Sequence, residues 1–200
     1  SKLRTKSRQI FFVKQTHSNK FVFLKKNSNI KNRSIAADAI ISEKKKVPVA
    51  ILTADCVPIL VYDKSKKMIA AIHAGWRGAY KGIVQKVIKY MVRKKCDTKN
   101  MTVAIGPCIS KKNYEVKKKF KDKFLKQNKN SNIFFSIKKR KIYFDLTNYV
   151  KKQVESNLIK NIELVNIDTF DKKNNFFSAR RSLKLNHNDY GRNISIIMLN

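Results

Sequence analysis

The sequence predicts a single α+β domain (mixed α/β) in which mixed β-sheets are flanked by helices. Three observations carry this. The 200 residues fit one domain of ordinary size, and 42% of them are hydrophobic, enough for a sizeable core. Short β-rich apolar runs crowd the first third of the chain, while helical periodicity enters only after it. No linker-like stretch or internal repeat divides the chain, so residues 1–200 are expected to form one domain.

The elements follow in order. Residues 9–14 (QIFFVK), 21–24, 38–42 (DAIIS), 49–53, 57–62 and 68–73 read as strands, with polar flanks or turn residues between them. A helix is expected over 79–95, where Ile83, Val84, Val87, Ile88 and Met91 share one face and lysines the other. A strand over 101–105 runs into the turn signal Gly106-Pro107. Basic helices are expected over 111–127 and 146–158, the second with Leu146, Tyr149, Val150 and Val154 inward. Late strands are expected at 162–167, 176–179 and 194–199.

Composition excludes several classes. With 5 glycines and 3 prolines this is no low-complexity or collagen-like chain. No apolar run reaches the roughly 18 residues of a membrane span, so no membrane partner is expected. The first residues are polar and basic and do not read as a signal peptide. Three cysteines, Cys56, Cys96 and Cys108, form no CxxC pair and suit a reducing cytoplasm better than a disulfide framework. The charge is extreme, 46 Lys+Arg against 13 Asp+Glu for a net +33. A field of that sign gathers anions, and nucleic-acid binding is the sharp reading. The excess is mostly lysine, comes with many asparagines and isoleucines, and is spread along the whole chain. An AT-rich genome produces the same drift. No nucleic-acid motif accompanies it, so only weak, salt-sensitive, nonspecific binding is expected.

The region 53–78 is the least ordinary. One apolar strand ends in Thr53-Ala54-Asp55-Cys56, and another in His73-Ala74-Gly75-Trp76-Arg77-Gly78. His17, in Gln15-Thr16-His17-Ser18, is a third strand-end residue. Strands hold such residues rigidly, which is where function concentrates. One thiolate and two imidazoles suit Zn²⁺, and three ligands leave a position open for water, which the metal acidifies. Two other readings stay open: a buried cysteine with loop-edge histidines hydrogen-bonded locally, and a cysteine–histidine nucleophile pair. Asp55 reads as a proton shuttle, as an orienting partner of a ligand, or as a turn cap. Arg77, between Trp76 and Gly78, reads as an anion binder through its planar guanidinium or as a plain surface arginine. Trp76 reads equally as a base-stacking ring and as packing. Cys108 reads as packing, Cys96 as incidental and His187 as solvated.

The motifs QTHS, TADCVPIL, HAGWRG, AIGPCI, NYEV, FFSARR and GRN occur in this order over residues 15–193. They resemble the YfiH-like family, also called the laccase-domain or multicopper polyphenol oxidase family, over nearly the whole chain. TADC followed by HAGWRG at this separation is specific. The resemblance implies a mixed α/β fold and zinc held by His17, Cys56 and His73. It implies phosphorolysis of purine nucleosides, including methylthioadenosine, together with adenosine deamination, and a cytoplasmic enzyme needing no redox copper. Cys56 and Asp55 are then expected to be catalytic, and Arg77, Arg180 and Arg181 to meet substrate or phosphate, whose geometry the guanidinium matches, with Lys14 as another candidate. A monomer is expected, with no specific nucleic-acid partner.

The chain departs from the family pattern in places. It begins at Ser1, and the family's N-terminal Phe-Thr-Arg-x-Gly-Gly type segment is absent, so a missing N-terminal segment is expected, which puts activity in question. Asp168 stands where a cysteine is common, and Ala179 where an aromatic or histidine is common. Two other functions compete. A copper-dependent polyphenol oxidase needs many histidines, and this chain has 3. An inactive basic protein with nonspecific nucleic-acid binding is favoured by the charge alone.

Overall fold

The structure, a computed structural model, describes residues 10–187 and 189–200. The described residues form eleven strands: β1 Phe21–Leu24, β2 Ala39–Ser42, β3 Val49–Thr53, β4 Val57–Asp63, β5 Met68–Ala74, β6 Met101–Ile105, β7 Glu115–Val116, β8 Phe135–Lys138, β9 Lys141–Phe144, β10 Asn161–Leu164 and β11 Asn193–Ile197. The helices are α1 Trp76–Tyr80, α2 Ile83–Arg93, α3 Lys118–Gln127, α4 Leu146–Glu155 and α5 Ala179–Lys184. The mixed α/β architecture is the one the sequence predicts.

A six-stranded mixed sheet in the order β1-β2-β5-β4-β6-β10 forms the centre. Its outer pairs β1–β2 and β6–β10 are parallel and its inner pairs antiparallel. Alternation along the strands feeds two cores, as the period of two requires. Met68, Ala70, Ile72 and Ala74 of β5 face one core together with α2 and α4. Ile69 and Ala71 face the other, which Phe11, Val13 and the β3–β11 ribbon close. A sheet covered on both faces explains why β2 and β5 are apolar at nearly every position.

Several expectations need correction. Of the strand expected over 9–14, Gln9 lies outside the described residues. The rest makes isolated bridges, Phe11 to Val49 and Lys14 to Ala36. The helix expected over 79–95 begins earlier, at Trp76, and breaks at Gly82, whose φ of 75° lies in the left-handed region that glycine tolerates. The first half of the helix expected over 111–127 is instead a 3-10 turn, Lys111–Asn113, followed by β7. The β8–β9 hairpin was not expected. Its turn places Lys139 and Arg140 at φ 48° and 61°, positions where Asn-Gly ordinarily signals such a turn. The strand expected over 176–179 gives way to α5, because the Ser178 hydroxyl accepts from Arg181 N at 3.1 Å and caps the helix.

α3 and the hairpin meet in an aromatic cluster. Phe124 is fully buried, with Phe120, Phe144 and Tyr149 at ring distances of 4.8, 4.9 and 5.2 Å. Phe124→Ala is expected to cost about 3–5 kcal/mol, read as a lowered midpoint in urea unfolding.

Candidate functional site

Three chain segments meet at one end of β4 and β5, the two middle strands of the central sheet. The turn 54–56 carries the chain from the ribbon strand β3 into β4, His73 stands near the end of β5, and the loop 15–19 lies between them. Two of the residues that do this have left-handed backbones, His17 at φ 55° and Asp55 at φ 79°. Such conformations persist only where the surroundings fix them. Gln15 anchors the loop by pairing its amide with the backbone of Leu52, at 2.7 and 2.8 Å.

Asp38 does the rest, and the sequence reading assigned it no role. It is fully buried just before β2. Its carboxylate accepts from the backbone N–H groups of Thr16 at 3.1 Å, His17 at 2.9 Å and Ser18 at 2.5 Å. It also accepts from the Ser18 hydroxyl at 2.7 Å, and it pairs with His73 Nδ1 at 2.8 Å. One carboxylate therefore shapes the His17 loop and orients the His73 ring.

The donor atoms of His17, Cys56 and His73 lie within 4.8 Å of one another. Cys56 Sγ is 3.7 Å from His17 Nε2, and the two imidazoles meet edge to face at 4.8 Å between centroids. Bonds of ~2.1 Å to nitrogen and ~2.3 Å to sulfur at a tetrahedral angle separate the two donors by ~3.6 Å, so the thiol and His17 stand at ligand spacing. With Nδ1 engaged by Asp38, His73 has Nε2 left for a metal, the carboxylate–histidine arrangement of many metal sites. The residues fit a divalent ion.

The electrostatics agree. Burial opposes the thiolate of Cys56, but His17 and His73 outweigh it and bring its pKa down to about 6. Burial likewise opposes the imidazolium of His73, but Asp38 and Cys56 raise it to about 9. Burial opposes the Asp38 carboxylate too, yet His73 and Ser18 hold it well below the usual carboxylate range. Both shifts favour a thiolate beside an imidazolium, and an imidazolium at His73 gives up a proton to become a ligand.

Gly75 of HAGWRG has a steric reason. A Cβ there would lie 2.8 Å from Cys56 Sγ and 2.9 Å from His17 Cδ2. Gly75→Ala is expected to push the thiol and His17 apart and weaken metal binding at least tenfold, because displacing a ligand costs no less than the 10–100-fold loss of an outer partner. Metal titration of the variant checks this. Gly78 serves the same loop, since its Cβ would meet Ser18 O at 2.9 Å.

A cleft of about 210 Å³ opens beside the cluster, walled among others by His17, Asp55, Cys56, Trp76, Tyr114, Arg180 and Tyr190. Asp55 is buried there with both carboxylate oxygens engaged, by the Thr169 hydroxyl at 2.8 Å and by Arg180 N at 2.6 Å. It thus ties the start of α5, and Arg180 with it, to the thiol. Arg180 donates to Glu115 O at 2.8 Å and lies over the Tyr114 ring at 5.3 Å. The other arginines are placed differently. Arg181 donates to the carbonyls of Thr169, Phe170 and Phe176, so its guanidinium braces a loop. Arg77 is exposed and stacks on Trp76 at 4.9 Å. Lys14 is exposed. Asp168 organises the GPCI loop, accepting from Ser110 N and Oγ and from Asn113 Nδ2. Cys108 and Cys96 are buried, and burial pushes each thiol up to about 12. The GRN motif explains itself as well: Asn193 pairs its amide with the backbone of Phe177.

The family model for multi-copper polyphenol oxidoreductase laccases matches residues 1–200. The chain belongs to this family. It is 33% identical over 180 residues to a purine nucleoside phosphorylase of Rickettsia prowazekii, covering 88% of this chain and 72% of the relative. It is 36% identical over 183 residues to a purine nucleoside phosphorylase of Clostridium acetobutylicum, covering 88% and 73%. The solved structure of a Neisseria meningitidis protein assigned to DUF152 superposes with a TM-score of 0.81 at 29% identity, over 96% of this chain and 75% of that one. YfiH of Bacillus licheniformis superposes with a TM-score of 0.87 at 23% identity, over 99% and 77%, a likeness of fold. Among the described residues, no helix is long and apolar enough to cross a membrane.

Proposed function

We propose that this member of the laccase-like family is a zinc-dependent purine nucleoside phosphorylase. In this reading it also deaminates adenosine and cleaves methylthioadenosine with phosphate, as a cytoplasmic enzyme. The observation that carries the reading is the convergence of His17, Cys56 and His73 within 4.8 Å beside a cleft that Trp76, Tyr114 and Arg180 also line. The names of the relatives support the nucleoside and phosphate substrates. One thiolate with two imidazoles favours zinc. The family's description favours copper and phenol oxidation, but the 3 histidines of the chain are too few for a multicopper array.

The residues divide the work. His17, Cys56 and His73 would hold the ion, which when bound acidifies water at neutral pH and so suits attack on a purine carbon. Asp38 fixes the tautomer of His73 and presents Nε2 inward. Asp55 keeps α5 docked so that Arg180 stays over the cleft. Trp76 and Tyr114 would give a purine aromatic walls in the cleft. In phosphorolysis a phosphate oxygen bonds to ribose C1′ as the bond from C1′ to the base breaks, and the base leaves with a proton. Arg180 lines the cleft and has guanidinium nitrogens beyond the one on Glu115, which supports it as the group that would hold that anion.

The test is release of hypoxanthine from inosine by the purified chain. Release that requires phosphate and is lost with the metal is expected. A zinc-loaded chain inert toward inosine, adenosine and methylthioadenosine contradicts the proposal, and copper-dependent oxygen uptake with phenols replaces it.

A further inference from the structure

The cleft beside the metal cluster, at about 210 Å³, is too small for the reaction proposed above. Pockets for small organic ligands run ~300–1,000 Å³, and a purine nucleoside with phosphate belongs in that range. The missing space lies next door. Trp76, Tyr114 and Arg180 are also walls of a second cavity of about 640 Å³. Its floor is aromatic, with Phe120 edge-on to Trp76 at 5.0 Å and to Tyr114 at 6.3 Å.

The chemistry of this second lobe is that of an anion site. Lys117, Lys119, Lys123 and Arg180 line it against a single carboxylate, Glu115. That carboxylate is engaged elsewhere, by Lys141 at 3.1 Å. The Lys123 ammonium lies over two ring faces, 5.4 Å from Trp76, a wall of the lobe, and 4.9 Å from Tyr80, which stands outside it. α3 starts at the lobe's edge with Lys117 as its N-cap, with neither a side-chain cap nor an acidic residue in its first turn, so its partial positive charge adds to that of the lysines. Lysines abound on this chain. What distinguishes these is that they share a cavity with Arg180, whose backbone Asp55 ties to the metal cleft.

We infer that the basic lobe is the phosphoryl subsite of the site, with Arg180 on the shared wall between the phosphate and the cleft. The inference rests on the nucleoside phosphorylase reading and places one of its substrates. The phosphoryl group has two sources, free inorganic phosphate or a phosphate ester carried by the nucleoside.

Calorimetric titration of the full chain at fixed ionic strength tests this with three probes: inorganic phosphate, adenosine and adenosine 5′-monophosphate. The lobe variant is Lys117→Gln/Lys119→Gln/Lys123→Gln, all exposed positions. The control, Lys112→Gln/Lys138→Gln/Lys139→Gln, removes the same charge from another basic cavity. The lobe variant is expected to weaken phosphate binding at least tenfold and adenosine less than twofold, with the control within twofold of the parent throughout. If the monophosphate binds the parent tenfold tighter than adenosine and the lobe variant abolishes the difference, the phosphate travels on the nucleoside. If it binds no tighter while free phosphate is lost, phosphate is the co-substrate. Equal losses in the two triple variants, or no loss in the lobe variant, overturn the assignment. Binding needs no turnover, so a chain that binds phosphate in the lobe yet leaves inosine intact refutes the phosphorylase reading and not the subsite.

Discussion

Cys56→Ser is expected to empty the metal centre and stop nucleoside turnover. Serine keeps the volume but supplies a hydroxyl that stays protonated, where the site provides a thiol already brought down to about 6. Loss of an outer partner costs metal affinity up to about a hundredfold, and loss of a direct ligand costs at least as much. Zinc content after dialysis should fall from near one per chain to a small fraction, and inosine phosphorolysis should fall with it by at least about a hundredfold. The fold should survive, because Cys56 is only half-buried at the end of a turn. A variant that keeps both zinc and turnover shows that the thiol is not a ligand. One that keeps zinc and loses turnover makes Cys56 a nucleophile instead.

Asp38→Ala is expected to damage both stability and the site. The side chain is fully buried, and its oxygens serve three backbone N–H groups, two hydroxyls and an imidazole. Removing one partner of a buried charged pair costs about 3–5 kcal/mol, which for a domain of ordinary stability is a large share of the total. Asp38→Asn retains acceptor capacity on one oxygen and should recover part of the unfolding free energy, while metal affinity stays ~10–100-fold down because His73 is no longer held by a charged partner. Urea unfolding and metal titration of the two variants separate the roles. Equal metal affinity in parent and Asp38→Asn shows that Asp38 shapes the loop without tuning the ligand.

The sequence revealed the apolar framework and less of the segments held by polar detail. The strands β3, β4, β5 and β6 and the face of α2 were legible because burial on both sides of a sheet, or on one face of a helix, writes itself into hydrophobic spacing. The hairpin β8–β9 was not, since Lys139 and Arg140 occupy turn positions without the residues that announce such a turn. α5 was misread because two phenylalanines before Ser178 suggested a strand, while the capping serine was the informative residue. Within the site, His17, Cys56 and His73 were nominated as residues at strand ends. Asp38 stood in plain view at the head of DAIIS; an acid opening an otherwise apolar strand was the available signal, and its contacts with the 16–18 backbone and with His73 at 2.8 Å give it a purpose. The three arginines looked equivalent in sequence. Backbone carbonyls claim Arg181, Trp76 carries Arg77, and Arg180 alone of the three lines the cleft.

Zinc-edge X-ray absorption on the purified chain, combined with its metal stoichiometry, tests the central claim most directly. One zinc per chain is expected, with a single sulfur at about 2.3 Å and nitrogen or oxygen neighbours at about 2.0–2.1 Å, the sulfur vanishing in Cys56→Ser. A metal shell without sulfur, or a metal-free chain that still splits inosine at the full rate, contradicts it.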